Sequence, residues 1–199
     1  MRTALIWGGL TLALLVPLGA AALSPLLAWR DPIYIMAGFA GVIGLGLMLV
    51  QPLLALGLLP GLSAPRARRI HGWVGASLLA AVLLHVAGLW ITSPPDVIDA
   101  LTFSSPTPFS LWGVLAMWGI FATAGLAASW RHLHLHPKLW RRAHLSLAVL
   151  ITGGTIAHAL LIDGTMELLT KLALCGLVAL AVAKALHSRW GPQRPKTGS

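Results

Sequence analysis

The chain has 199 residues, of which 57% are hydrophobic and only 10% are charged. An ordinary soluble domain carries roughly a quarter of its residues as charged side chains, so this composition excludes that class and favours a membrane protein. The formal net charge of +9 falls in basic clusters between apolar runs, which is typical of membrane loops in contact with a lipid bilayer and not of nucleic-acid-binding modules.

Six apolar segments follow one another along the chain, each long enough for the about 20 residues that a transmembrane helix needs. We expect each segment to be an α-helix, because a backbone inside a bilayer must satisfy its own hydrogen bonds. The approximate bounds are residues 3–29, 33–59, 70–92, 109–130, 143–162 and 168–187. The sequence therefore predicts an all-α polytopic membrane bundle of about six transmembrane helices, forming a single membrane domain over residues 1–199.

The first of these segments has two interpretations. Arg2, the apolar run after it and the small residues at 19–22 also fit a secretory signal peptide. We favour an uncleaved helix, because the apolar run continues past the small residues to Trp29.

The charged residues between the segments predict how the chain is oriented. Basic clusters lie between the second and third segments, between the fourth and fifth, and in a C-terminal tail of residues 188–199, whereas all five acidic residues lie in the alternate loops. By the positive-inside rule, both termini and this tail are cytoplasmic. An even number of spans is required for that, and six is even. We expect a multi-pass protein of the inner (plasma) membrane.

The most informative feature is a pair of histidines on each of the third and fifth segments. His71 and His85 are 14 residues apart, and so are His144 and His158. Fourteen helical residues make just under four turns and rise about 21 Å, so each pair shares one helix face at two depths. Both segments run from the cytoplasm outwards, which should put His71 level with His144 and His85 level with His158.

Two imidazoles that face each other at one depth fit the axial coordination of a haem iron. We therefore predict that His71, His85, His144 and His158 are the axial iron ligands of two b-type haems, and no residue is singled out as catalytic. Bis-histidine ligation leaves no open iron position, which favours electron transfer. The arginines ahead of His71 and His144 would neutralise inner-haem propionates. Small residues on the ligand helices would let each ring approach: Gly72, Gly75, Gly153 and Gly154.

Two other functions would use the same histidines. A small membrane transporter or proton-conducting protein would use them as a relay, because ionisable residues inside a bilayer usually mark an ion pathway. A quinone-linked cytochrome b anchor subunit would also bind haem, and would differ in the direction of electron flow. The alternating His132, His134 and His136 are more typical of a solvated basic loop than of a metal site.

The paired histidines, and the Arg-Arg-x-His pattern at residues 68–71 and 141–144, resemble the ferric reductase-like transmembrane domain family. That family includes ferric-chelate reductases, NADPH oxidases and the haem-binding membrane subunit of the bacterial methionine sulfoxide reductase system. The resemblance covers about residues 35–187, the expected haem-binding core. The full set of four histidines weakens assignment to the methionine sulfoxide reductase group.

The resemblance implies that His71 and His144 hold an inner haem b, and that His85 and His158 hold an outer one. It also implies that electrons enter from a cytoplasmic flavoprotein reductase and leave to an acceptor on the outer face. The sequence has no G-x-G-x-x-G unit for a dinucleotide, so we expect an electron-transfer subunit of an oxidoreductase whose flavin is on a separate protein. Ferric chelates, oxygen, quinone and a periplasmic redox protein all stay open as acceptors.

Overall fold

A computed structural model describes residues 1–129, 132 and 136–190, with the backbone alone for residues 189 and 190. These residues form seven α-helices, one short 3-10 helix (Pro25–Leu27) and no β-strand. The α-helices are α1 (Arg2–Ala22), α2 (Pro32–Ala55), α3 (Ala64–Thr92), α4 (Pro94–Leu101), α5 (Pro108–Ser129), α6 (Pro137–Leu161) and α7 (Leu168–Trp190). All of them except α4 are long and apolar enough to cross a bilayer, so the predicted all-α class with six spanning helices is confirmed. Most of the predicted C-terminal tail, from residue 191 on, lies outside the described residues.

Several helix bounds differ from the predicted segments. Both ligand helices begin about two turns earlier than their apolar runs, α3 at Ala64 and α6 at Pro137. A proline in the first turn suits a helix start, because its missing N–H would have no partner there. The arginines ahead of His71 and His144 are therefore exposed residues within the first two turns of these helices and not loop residues.

The other differences lie in the loops that follow α1 and α3. The first helix ends at Ala22, because Pro25 cannot continue it, and the predicted extension to Trp29 is wrong. The link between α3 and α5 contains the additional helix α4, which is only eight residues long. A segment this short has no room for a diagnostic apolar repeat, so the sequence pattern did not reveal it.

The ends of α2 are set by local hydrogen bonds. The Asp31 carboxylate caps the start by accepting from the backbone N–H groups of Ile33 at 2.7 Å and Tyr34 at 3.4 Å. At the other end Gly57 takes the left-handed conformation with φ 65°, and the Leu58 N–H donates to the Leu53 carbonyl at 3.0 Å. These caps set the bounds of α2, the helix that packs beside α3.

The helices pack as two antiparallel hairpins, α2 with α3 and α5 with α6. Helix α7 packs against both hairpins, where its Leu174 and Val178 are fully buried, and α1 lies against α2 and α7. The backbones of α3 and α6 make little direct contact. The bundle therefore leaves a slot between these two helices, and the four histidines project into it.

Candidate functional site

The structure brings the four histidines together in two pairs, each with one ring from α3 and one from α6. The ring centres of His71 and His144 are 6.2 Å apart, with an interplanar angle of 58°. Those of His85 and His158 are 6.3 Å apart, with an angle of 83°. The pairs lie at two levels along parallel helices; the pair His71–His144 is called the inner pair and the pair His85–His158 the outer pair, after the orientation predicted from the sequence.

Backbone carbonyls of neighbouring helices orient both rings of the outer pair. His85 Nδ1 lies 2.8 Å from the Ala37 carbonyl oxygen on α2, and His158 Nδ1 lies 2.9 Å from the Phe109 carbonyl oxygen on α5. A carbonyl oxygen can only accept, so both Nδ1 atoms carry the hydrogen and donate. The lone pair is therefore on Nε2 of each ring, which is the tautomer that a metal-ligating histidine uses.

A glycine lies against each of these outer rings. A Cβ added at Gly41 would come within 3.2 Å of His85 Nδ1, and one added at Gly113 within 2.7 Å of His158 Nδ1. Each glycine follows its carbonyl residue, Ala37 or Phe109, by four positions, which is about one helical turn. The two hairpins therefore hold the outer histidines in the same way.

The glycines predicted to let a ring approach are placed differently. A Cβ at Gly75 would meet the Gln51 side chain, and one at Gly154 would meet the Trp112 carbonyl oxygen on α5. Gly72 and Gly153 have no neighbour within 4 Å of such an added Cβ. The close contacts to the histidine rings come from α2 and α5, not from the ligand helices.

The inner pair is held less symmetrically. His71 Nδ1 lies 3.2 Å from the Gln51 carbonyl oxygen. The Gln51 carboxamide also reaches this ring: oriented so that its oxygen accepts from the Gly75 N–H at 3.0 Å, its nitrogen lies 2.6 Å from His71 Nδ1. The two partners favour opposite tautomers, so the proton position on His71 is less firmly set than on the outer rings.

The second inner histidine is oriented by an aromatic ring. The indole of Trp140, one turn earlier on α6, stacks on His144 with ring centres 5.2 Å apart and an interplanar angle of 10°. Among the described residues, the buried His144 Nδ1 has no hydrogen-bond partner. Stacking thus fixes the plane of this ring, whereas hydrogen bonds orient the outer two.

A cavity of about 410 Å³ reaches the outer pair from the end of the bundle at which α4 lies. Its walls are mostly apolar side chains of α2, α3, α5 and α6, and both His85 and His158 line it. Helix α4 and the loop before α7 border its outer end. This volume is within the usual range for a small-molecule or cofactor site. The inner histidines, His71 and His144, do not line the cavity.

The geometry and the donor set fit an axially coordinated haem. An imidazole nitrogen lies about 2 Å from a first-row metal, so two rings on opposite sides of one iron have centres roughly 6 Å apart. The observed 6.2 and 6.3 Å agree with this separation. Among the described residues, no group of three or more histidine, cysteine or acidic side chains could hold a metal ion. An axial haem site needs only two, because the porphyrin supplies the other ligands.

Several of these residues were not identified from the sequence. Gln51 is a polar residue within an apolar run, and that signal could have indicated it. Lys171 has no sequence signal that distinguishes it from an ordinary charge near a helix end, but it is buried in α7 and lines the cavity. Of the alternating histidines in the basic link before α6, His136 accepts from the Lys138 N–H at 3.3 Å and caps this helix, whereas His134 lies outside the described residues.

A comparison with protein-family models matches residues 40–155 to the family described as ferric reductase like transmembrane component. The match covers more than half of the chain, includes His71, His85 and His144, and ends just before His158. Comparisons with curated proteins and with solved structures gave no match. Domains of this type generally bind haem, in agreement with the donor set described above. Together with its six spanning helices, this match shows that the chain belongs to the ferric reductase-like transmembrane family.

Proposed function

We propose that this protein carries electrons across the bilayer through two b-type haems, one held by His71 and His144 and the other by His85 and His158. The family supports transmembrane electron transfer in general. The observation that carries the proposal is the presence of two facing imidazole pairs, with ring centres 6.2 and 6.3 Å apart, at two levels of the same slot.

Bound haem would supply a one-electron ferric/ferrous couple, and ligation by two histidines would leave the iron without an open position. The chain's own contribution is to hold the rings. The carbonyls of Ala37 and Phe109 leave Nε2 of the outer histidines free to bind iron. The stacked Trp140 indole fixes the orientation of the His144 ring. The apolar cavity walls limit water at the outer level.

We infer that electrons enter from a cytoplasmic flavoprotein, the kind of partner with which this family typically works. Exposed arginines lie within the first two turns of α3 and α6. The N-terminal ends of these parallel helices add positive potential at the same face of the bundle. Such a face would attract an acidic docking surface on the donor and speed its association. The acceptor would lie on the outer side of the inner membrane.

Electron passage across a sealed bilayer tests this function. The purified chain is placed in liposomes that enclose ferricyanide, and a membrane-impermeant reductant is added outside. We expect ferricyanide reduction at least about tenfold faster than in liposomes containing His85→Ala, because an iron without its second strong-field ligand is displaced or lost. His187→Ala, an exposed histidine of α7, is the matched control and should behave as the wild type. A wild-type rate equal to that of protein-free liposomes would contradict the proposal.

A further inference from the structure

Lys171 is a buried cation in the first turn of α7. Its side chain is only 4% exposed, and no other charged residue is buried among those whose side chains the structure describes. A lysine near a helix end in a membrane usually extends towards the aqueous interface. Lys171 instead turns inwards, and its Nζ donates to the Ile162 carbonyl oxygen at 2.6 Å.

No carboxylate among the described residues lies within 4.0 Å of the Lys171 ammonium, including the exposed Asp163 and Glu167 of the preceding loop. The Ile162 carbonyl is its one hydrogen-bond acceptor there, although an ammonium group has three donors. Asp96 of α4 also lines the cavity, but it is exposed and forms no ion pair with Lys171 within 4.0 Å. The positive end of the α7 dipole further disfavours a cation at this position. A buried and uncompensated ammonium calls for an anion that the chain itself does not provide.

The position of Lys171 indicates where that anion would lie. Lys171 and His158 line the same cavity, and the carbonyl that Lys171 contacts belongs to Ile162, four residues beyond His158 on the outer side. The loop between α6 and α7 closes over this region, because buried Thr165 packs directly against Gly38 of α2. An anion beside Lys171 would therefore lie in this cavity, about one turn beyond the level of His85 and His158.

We propose that Lys171 is a positioning residue that forms an ion pair with a carboxylate in the outer cavity, and that this carboxylate is a propionate of the outer haem. The proposal rests on the proposed function, because it requires haem at the His85–His158 pair. A haem held by these histidines would occupy the cavity that Lys171 also lines, and its carboxylates would be available to the ammonium. A soluble carboxylate, such as an iron chelate acting as acceptor, has the same chemistry and is the alternative source. The propionate is favoured because Lys171 lines the same cavity as both outer histidines.

The test compares Lys171→Gln with Lys171→Arg in the full chain. Glutamine keeps a donor for the Ile162 carbonyl and removes the charge, whereas arginine keeps the charge. Lys184→Gln is the matched control, because Lys184 lies on the same helix and is exposed. The readouts are the haem content and the midpoint potential of each haem in a spectroscopic redox titration. The potential of the inner haem is identified in a His85→Ala sample.

Loss of a nearby positive charge stabilises the ferric form relative to the ferrous form. The midpoint potential of the outer haem should therefore fall in Lys171→Gln. We expect a roughly tenfold lower ferrous-to-ferric ratio at fixed ambient potential, which corresponds to about 59 mV for one electron, or partial loss of the outer haem. The inner potential should not change, Lys171→Arg should restore the outer one, and Lys184→Gln should match the wild type.

Three results would overturn the inference. Unchanged potentials and haem content with a raised KM for ferric citrate would assign the carboxylate to a soluble ligand. Unchanged values in every assay would leave Lys171 without an anionic partner. Equal loss of both haems in Lys171→Gln and Lys171→Arg would show a packing role. A wild-type protein without haem would instead contradict the proposed function itself, so the two failures are distinguishable.

Discussion

Gly113 lies directly against the imidazole of His158. An added Cβ would come within 2.7 Å of Nδ1 and 3.0 Å of Cε1, so the ring would have to move away from the Phe109 carbonyl that orients it. We predict that Gly113→Ala lowers the outer haem content severalfold and leaves the inner haem in place, because ligand rings tolerate little misplacement. The haem content per chain and the reduced spectrum of the purified variant measure this.

Gly125→Ala is the control for that variant. It lies on the same helix, and an added Cβ has no neighbour within 4 Å. Its haem content should equal that of the wild type. If both variants lost haem equally, the effect would belong to α5 in general and not to contact with the His158 ring.

At the residue scale the sequence predicts the histidines but not what surrounds them. The four histidines stand out because imidazoles are rare within apolar runs and share a 14-residue spacing. The carbonyls of Ala37 and Phe109 carry no side-chain signal, since every residue has a carbonyl. Their role depends on which helices are neighbours, which the spacing does not specify.

Helix pairing depends on small residues at the points of closest approach. A Cβ at Gly88 of α3 would lie 2.7 Å from the Ala37 Cβ and 3.3 Å from the Ile33 carbonyl oxygen on α2. Without a hydrophobic driving force between helices in lipid, such close packing supplies much of their association. Gly88→Ala should therefore destabilise the fold by about 1–3 kcal/mol, as overpacking usually does. The thermal unfolding midpoint in detergent measures this.

Gly176→Ala on α7 is the matched control for Gly88→Ala, because an added Cβ there has no neighbour within 4 Å. Alanine favours a helix over glycine by about 1 kcal/mol, so this control should be unchanged or slightly more stable. A Gly88→Ala protein as stable as the control would show that α2 and α3 approach less closely than described.

At the element scale, the apolar runs predict where helices exist but not where they end. The run before His71 is interrupted by arginines, yet α3 begins at Ala64 because arginine is a good helix former and Pro65 suits a first turn. The sequence pattern does show that α3 and α6 are alike, because each carries two histidines 14 residues apart. It does not show that α2 and α5 are alike in placing a glycine, Gly41 or Gly113, against a histidine ring. Those contacts arise only in the packed hairpins.

At the scale of the whole molecule, six spanning helices follow from composition and segment length. The sequence does not predict that the two histidine levels differ in having a cavity beside them. The cavity includes the outer pair alone, because α4 and the loop before α7 border it only at that end. Both elements are short, and their positions depend on tertiary contacts.

The charge pattern also predicts the orientation of the whole molecule, with the arginine-rich ends of α3 and α6 in the cytoplasm. The one native cysteine, Cys175, is buried, which makes labelling of introduced cysteines straightforward. Ser104→Cys should react with a membrane-impermeant maleimide on intact spheroplasts, whereas Ala64→Cys should react only after lysis. The reverse pattern would place the arginines outside and exclude a cytoplasmic donor at that face.

The haem-to-protein ratio of the chain and its His→Ala variants tests the central claim most directly. We predict two b-type haems per wild-type chain and one in each single variant. The variant lacking both His71 and His144 should keep one haem, as should the variant lacking both His85 and His158, and the variant lacking His71 and His85 should keep none. A colourless wild-type protein from haem-replete cells would contradict the account. So would one haem retained after loss of both His71 and His85.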